Sequence, residues 1–434
     1  MPLEGAALRN AVRFAEILHN TEHYTAPQMQ AYQRRLLERL VRHAKAEVPF
    51  YETRLNPLFG PKDQIRWEVW EDIPIFTRAE AQAAGDALFA RNTPSQVGNY
   101  NTTNTSGSTG TPLSIRVSAI TRIMSAAINQ RIFDWHSVDT DASIVFILHG
   151  QNALPYPNSV TGNKWNLRNR EAVGHQLTID CTVSEQIEWL SANKPNILAT
   201  LPQNARAIVE QMLANEIPIP FNTVLLHGEA LDIETQHVMR EAGLKTIDRF
   251  GGEDIGNISA NCPTGEGHHQ FAEVGLTEFI YKGESATNPS GRCTLITTPF
   301  YSYAMPFIRY ENGDQVETTD EPCSCGRTLP RIKRILGRDR NMFTFSDGTV
   351  ISPNMLHADY DQFLSAKQFQ VIQHTLRDIE VIYVADDESR PVDEIGFAAL
   401  LRQRLHNDIE VRLTRISHIE RGPRGKFEVW KSLL

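Results

Sequence analysis

The run Thr103 to Pro112 reads Thr-Asn-Thr-Ser-Gly-Ser-Thr-Gly-Thr-Pro, rich in hydroxyls and glycines and without charge. Glycine favours turns and Ser/Thr side chains bond nearby backbone, so no packed element is expected there. Its many N–H and hydroxyl donors could converge on one anion, which makes it a phosphate cradle; the alternative is a solvated Ser/Gly linker. It lacks the Gly-Lys-Ser/Thr of a Walker loop, so it has no lysine of its own to place on a phosphate.

Three polar, glycine-bearing segments each follow an apolar run: His149-Gly150, His227-Gly228-Glu229 and Phe250-Gly251-Gly252-Glu253-Asp254. Several such segments at strand ends are what a nucleotide pocket needs, although each alone is a common turn. A second constellation is made of Cys323-Ser-Cys325 and Cys262, the latter followed by His268 and His269. Together they supply a Cys₃His set of the kind that closes a structural zinc site, with buried free thiols as the alternative.

These residues need a scaffold, and the chain is long enough to supply one. At 434 residues it exceeds the size of a single core, so two or three domains are expected. The net charge of -9, from 43 basic and 52 acidic residues, argues against nucleic acid as a partner. No apolar run reaches the roughly 18 residues of a membrane span. The first residues carry no basic and then apolar leader, and five cysteines make no disulfide framework. A cytoplasmic protein is the expectation.

In order, residues 26–46 predict an amphipathic helix with Tyr32, Leu36, Leu37, Leu40, Val41 and Ala44 on one face. A helix capped by Thr77 follows. Leu113–Val117 alternates as a strand, and Ile120 to Ile132 repeats at helical spacing. Ser143–Leu148, Asn196–Thr200, Thr223–Leu226 and Lys245–Arg249 read as strands, with helices at Ala205–Ala214 and Ile233–Ala242 between them. This alternation over residues 100–260 predicts an α/β layered domain with a mainly parallel sheet. Leu276–Tyr281, Cys293–Thr298 and Met305–Tyr310 predict a small antiparallel sheet or barrel. Strands at Val371–Leu376 and Glu380–Val384, a helix at Glu394–Leu405 and a strand at Glu410–Ile419 predict a small α+β domain over residues 340–434.

Taken together, the motifs resemble the adenylate-forming ligase superfamily, and within it the phenylacetate–CoA ligase-like branch with its capsule-biosynthesis relatives. The resemblance is carried by Val48-Pro-Phe-Tyr51, Ile73-Pro-Ile-Phe-Thr-Arg78, Thr105-Ser-Gly-Ser-Thr-Gly-Thr-Pro112, His227-Gly-Glu229, Phe250-Gly-Gly-Glu-Asp254, Pro306-Phe-Ile-Arg-Tyr-Glu-Asn-Gly-Asp314, Cys323-Ser-Cys-Gly-Arg327, Gly337-Arg338 and Gly425-Lys426. It spans nearly the whole chain, and it is the order of the motifs that makes it specific.

The resemblance implies a large N-terminal domain over residues 1–337, binding ATP and an acid, and a mobile C-terminal domain over 340–434 hinged at Arg338–Asp339. It implies that Thr105, Ser106, Gly107, Ser108, Thr109 and Gly110 grip the β/γ-phosphates of ATP, and that Gly228, Glu229, Ala230, Phe250 and Gly251 line the adenine. Asp314 would take the ribose hydroxyls and Arg338 would contact ribose or phosphate. Lys426 would act in adenylation, where an ammonium offsets charge on the transferring phosphoryl group. Asp254 stands where the family has its Mg²⁺ glutamate and Glu253 where it has Ser or Thr, a departure that leaves either acid as the metal carboxylate; register favours Asp254. Register likewise favours His269 over His268 beside Cys262, Cys323 and Cys325 for zinc. The implied reaction is ATP-dependent activation of a carboxylic acid, aryl or arylacetic by family, followed by transfer to CoA. An amine or carrier-protein acceptor stays open, as do a homodimer and a nucleotide-binding homologue without activity. Phe133, Trp135 and Tyr156 are candidates for an aromatic-acid pocket.

Overall fold

The computed structural model describes residues 3–104, 113–149, 154–162, 165–265, 267–286, 291–385, 392–420 and 427–434. Two helices open the chain, Gly5–Thr21 and Ala26–Glu47. The second starts at a capping box between Thr25 and Gln28 and buries Leu37, Leu40, Val41 and Ala44, the stripe expected from its spacing. Each large apolar side chain of that stripe stabilises the fold by about 1.5–3 kcal/mol. Helix Arg78–Ala84 is capped by Thr77, whose side chain accepts from the Glu80 N–H.

One 14-stranded sheet runs through the molecule. Its parallel part joins Gly174–Thr178, Ile144–Leu148, Ile197–Thr200, Thr223–His227 and Lys245–Gly252 in that spatial order. Ile144–Leu148, Ile197–Thr200 and Thr223–His227 are nearly continuous apolar runs because helices cover them, Ala119–Trp135 among them. The adjoining part is antiparallel: Gly256–Asn261 returns along Lys245–Gly252, then pairs with His268–Gln270, which pairs with Arg331–Arg338. Strands Tyr310–Thr319, Arg292–Pro299 and Gly275–Tyr281 complete it. The separate small sheet or barrel expected there is therefore an extension of the main sheet. The strand expected at Met305–Tyr310 begins instead at Tyr310, because Arg309 takes a left-handed φ of 53° that breaks the extended chain.

Strands Tyr100–Asn104 and Ser114–Ser118 form an antiparallel pair that carries the Gly/Ser/Thr run between them. The run itself, 105–112, lies outside the described residues. At the other end, Ala366–Gln373, Asp378–Ala385, Glu410–Arg415 and Trp430–Ser432 make a four-stranded sheet, with helix Glu394–Arg404 following its central hairpin. It has its own core around Phe343, Phe369, Val371, Val381, Phe397 and Leu401. The fold is thus α/β with a large sheet and a small separate C-terminal sheet domain. Among the described residues no helix is long and apolar enough to cross a membrane.

Candidate active site

The strand ends converge as their sequence pattern predicts. A crevice of about 190 Å³ is walled by Gly228, Glu229 and Ala230 after one parallel strand, and by Phe250 and Gly251 at the end of the next. Asp314 and Arg338 close it from the antiparallel side. These two lie directly opposite in register, with Arg338 Nε 3.4 Å from Asp314 Oδ1. Asn312 Nδ2 also donates to Asp314, and burial holds that carboxyl above the usual carboxylate range despite both partners. Gly251 is required by geometry: a Cβ there would stand 2.3 Å from the Gly256 carbonyl oxygen. Gly228 sits at φ 87° with Leu201 close by, another place where only glycine fits without strain.

The crevice also has a wall from the far end of the chain. Phe427, Glu428, Val429 and Trp430 line it, and the Phe427 N–H donates to Glu229 Oε1 at 3.1 Å. Arg340 and Glu428 pair across the same seam. Lys426 lies outside the described residues, as do Thr105, Ser106, Gly107, Ser108, Thr109 and Gly110.

A larger cavity of about 560 Å³ adjoins the crevice and shares Gly228, Arg249, Gly251 and Arg338 with it. Thr103, at the root of the Gly/Ser/Thr run, is on its wall, with His149, His227, Glu253 and Asp254. The two acids differ. Glu253 is exposed and accepts from Thr103 Oγ1 at 3.5 Å. Asp254 is 6% exposed; its Oδ2 accepts from Tyr310 Oη at 3.1 Å and lies 3.5 Å from Arg78 Nη1. A small apolar annex of about 50 Å³ opens beside the cavity, with Tyr301 and Phe307 on its wall. Phe133 and Trp135 instead belong to the core, and with Tyr156 they line neither cavity. The aromatic-pocket candidates are corrected accordingly.

The second constellation also assembles. One ligand atom each of Cys262, His269, Cys323 and Cys325 lies within 4.8 Å of the others. Cys262 Sγ and Cys323 Sγ are 3.6 Å apart, and His269 Nε2 is 3.2 Å from Cys325 Sγ. Ligands on a tetrahedral zinc with Zn–S near 2.3 Å stand roughly 3.8 Å apart, so the set fits. Burial first, then Arg327, Arg331 and Arg131, lowers the His269 pKa to about 4, which keeps the imidazole neutral. His268 points elsewhere, to Asp248 at 3.2 Å and Ser259 at 3.2 Å.

Among the polar lining residues, Thr121, Ser125, Arg249 and Asn257 were not singled out from sequence, and Arg78 entered only as the end of a motif. The available signal was Thr121, Ser125 and Asn129, spaced four apart on helix Ala119–Trp135, which puts a polar line on one face.

No protein-family model matches the chain. A curated relative, the phenylacetate–coenzyme A ligase of Thermus thermophilus, is 26% identical over 181 residues, which is 40% of this chain and 40% of that ligase's length. Among solved structures, 2-hydroxyisobutyryl-CoA ligase in the postadenylation state with 2-HIB-AMP superposes with a TM-score of 0.74 at 17% identity, covering 95% of this chain and 91% of that one. Its open form with 2-HIB-AMP and CoA gives 0.61 at 18% identity, covering 94% and 92%. The anthranilate CoA ligase AuaEII with anthranoyl-AMP gives 0.57 at 13% identity, covering 75% and 65%. The chain therefore has the fold of these ligase structures, and over 181 residues it is similar to a phenylacetate–coenzyme A ligase.

Proposed function

We propose that the protein activates a carboxylic acid with Mg-ATP and passes the acyl group to CoA. The observation that carries this is the junction of the two cavities at Gly228, Gly251 and Arg338. It sets a base-and-ribose crevice end to end with a polar chamber. Adenine would lie between Phe250 and the 228–230 segment, since an aromatic face suits stacking and glycines allow close approach. The ribose hydroxyls would donate to Asp314, a carboxylate able to accept both. Arg338, already beside Asp314, would reach ribose or α-phosphate.

In the first step a carboxylate oxygen of the acid attacks the α-phosphorus. The bond from that phosphorus to the pyrophosphate oxygen breaks and pyrophosphate leaves. In the second, the thiol sulfur of CoA attacks the acyl carbon, its proton is lost, and AMP departs with the former carboxylate oxygen. Mg²⁺ fits Asp254, a buried carboxylate facing the chamber; when bound it would offset phosphate charge there. The apolar annex by Tyr301 and Phe307 would take the hydrocarbon part of the acid. Residues 340–434 would rotate between the steps about Arg338–Asp339, which end a strand and begin a short 3₁₀ turn.

The test is ATP–pyrophosphate exchange over a panel of carboxylic acids. Exchange dependent on at least one acid, and a thioester on adding CoA, are expected. ATP binding without exchange for any acid would mean a nucleotide-binding protein without this chemistry.

We infer further that Cys262, His269, Cys323 and Cys325 hold one structural zinc. With every position a protein ligand, the ion would tie the strand pair at 256–270 to the segment leading into Arg331–Arg338. Purified protein should carry about one equivalent of zinc, and Cys323→Ser should lose the metal and unfold at lower temperature. A metal-free wild type as stable as the variant would remove the assignment.

A further inference from the structure

Arg249 is the cation that the proposed reaction leaves unused. It projects from the end of strand Lys245–Gly252 into the junction of the two cavities. Behind it, helix Ala119–Trp135 turns its polar line toward the sheet. Ser125 Oγ accepts from Asn257 Nδ2 at 3.0 Å, and Asn129 Oδ1 accepts from Arg249 Nη1 at 2.7 Å. The amide aims the guanidinium but brings no charge to it.

Other arginines drawn into the interior are treated differently. Arg131 has Glu273 at 2.7 Å and Arg309 has Glu278 at 3.1 Å. Arg249 has no carboxylate within 4.0 Å among the described residues. Its sequence neighbour Asp248 is turned to His268, and Asp254 is engaged by Arg78 and Tyr310. Burial accordingly lowers the pKa of Arg249 below the ordinary guanidinium range. Arg249 is half-buried, and a cation drawn partly out of water is costly unless paired. In front of it lies the polar chamber where the acid's reacting carboxylate would meet the α-phosphate.

We propose that Arg249 selects acids bearing a second anionic group, a dicarboxylic acid being the simplest. One carboxylate would be activated while the other pairs with the guanidinium. This rests on the acid-activation reading above. The same anion chemistry could come from the nucleotide's α-phosphate, and the experiment separates the two sources. A fork of N–H donors meeting a carboxylate in a desolvated site gives roughly a ten- to hundredfold preference over the acid lacking that group.

The experiment is pyrophosphate exchange by the full-length protein on matched acids: butyrate against succinate, valerate against glutarate, benzoate against phthalate. Wild type should favour the dicarboxylic member of at least one pair by about tenfold or more in kcat/KM. Arg249→Met should lose that preference through KM, with the Kd for a non-hydrolysable ATP analogue unchanged. Arg249→Lys, which keeps the charge and is the safer variant for folding, should retain part of the preference. Exchange without any dicarboxylate preference in wild type overturns this inference alone. So does an Arg249→Met protein that weakens nucleotide binding and slows every acid equally, since the anion would then be phosphate. No exchange with any acid overturns the acid-activation reading and this inference with it.

Discussion

Asp254→Asn lowers acid-dependent pyrophosphate exchange by about a hundred- to a thousandfold, while Glu253→Gln costs less than about tenfold. The two acids are adjacent in sequence, and their surroundings make them unequal. Asp254 is buried, with Oδ1 accepting from the Ile255 N–H at 3.2 Å and Oδ2 facing Tyr310 and Arg78. It is thereby fixed by the strand that begins at Tyr310 and by the helix that begins at Arg78. A carboxylate held from two sides offers one orientation to a cation, which is what a metal beside a phosphate requires. Glu253 is exposed and accepts from Thr103 at the start of the Gly/Ser/Thr run. Asparagine preserves the shape of Asp254 and its acceptor oxygen for Tyr310, so the change removes charge rather than packing. The measurement is exchange rate against Mg²⁺ concentration, with thermal unfolding as the control for folding. A larger loss in Glu253→Gln than in Asp254→Asn would transfer the metal role to Glu253.

Lys426→Ala abolishes adenylation, by about a thousandfold, and leaves transfer from a supplied acyl-adenylate to CoA within about threefold. The Gly/Ser/Thr run has no lysine, so the cation for the α-phosphate has to come from another part of the chain. Lys426 immediately precedes Phe427 in sequence, and the Phe427 N–H donates to Glu229 on the crevice wall. Charge on the phosphoryl group develops in the first step, and a positioned ammonium lowers that barrier selectively. Single-turnover formation of the acyl-adenylate and, separately, thioester formation from a synthetic one would be followed. Adenylation within tenfold of wild type would refute the role, whatever the second step did.

The parallel half of the sheet was legible because buried parallel strands are apolar runs. Ile144–Leu148 and Thr223–His227 could hardly be anything else. Gly174–Thr178 was missed because Gly174, His175 and Gln176 interrupt its apolar pattern near the edge of the sheet. The continuity of the antiparallel part was not legible either. It depends on His268–Gln270 pairing with Arg331–Arg338, a contact between segments far apart in sequence. Glycine-bearing strand ends announced the crevice. Arg249 escaped notice because a single arginine usually faces open solvent, and only the surrounding walls reveal that it lines two cavities.

The seam between Glu229 and Phe427 joins residues 198 positions apart. Phe427 to Trp430 do not merely cover the crevice; they form part of the surface a nucleotide would touch. Any departure of the C-terminal sheet would remove one wall of the crevice, so dwell time and domain position become one variable. A compound spanning both walls would act as a wedge or a clamp depending on its length, and would trap whichever arrangement its own dimensions match.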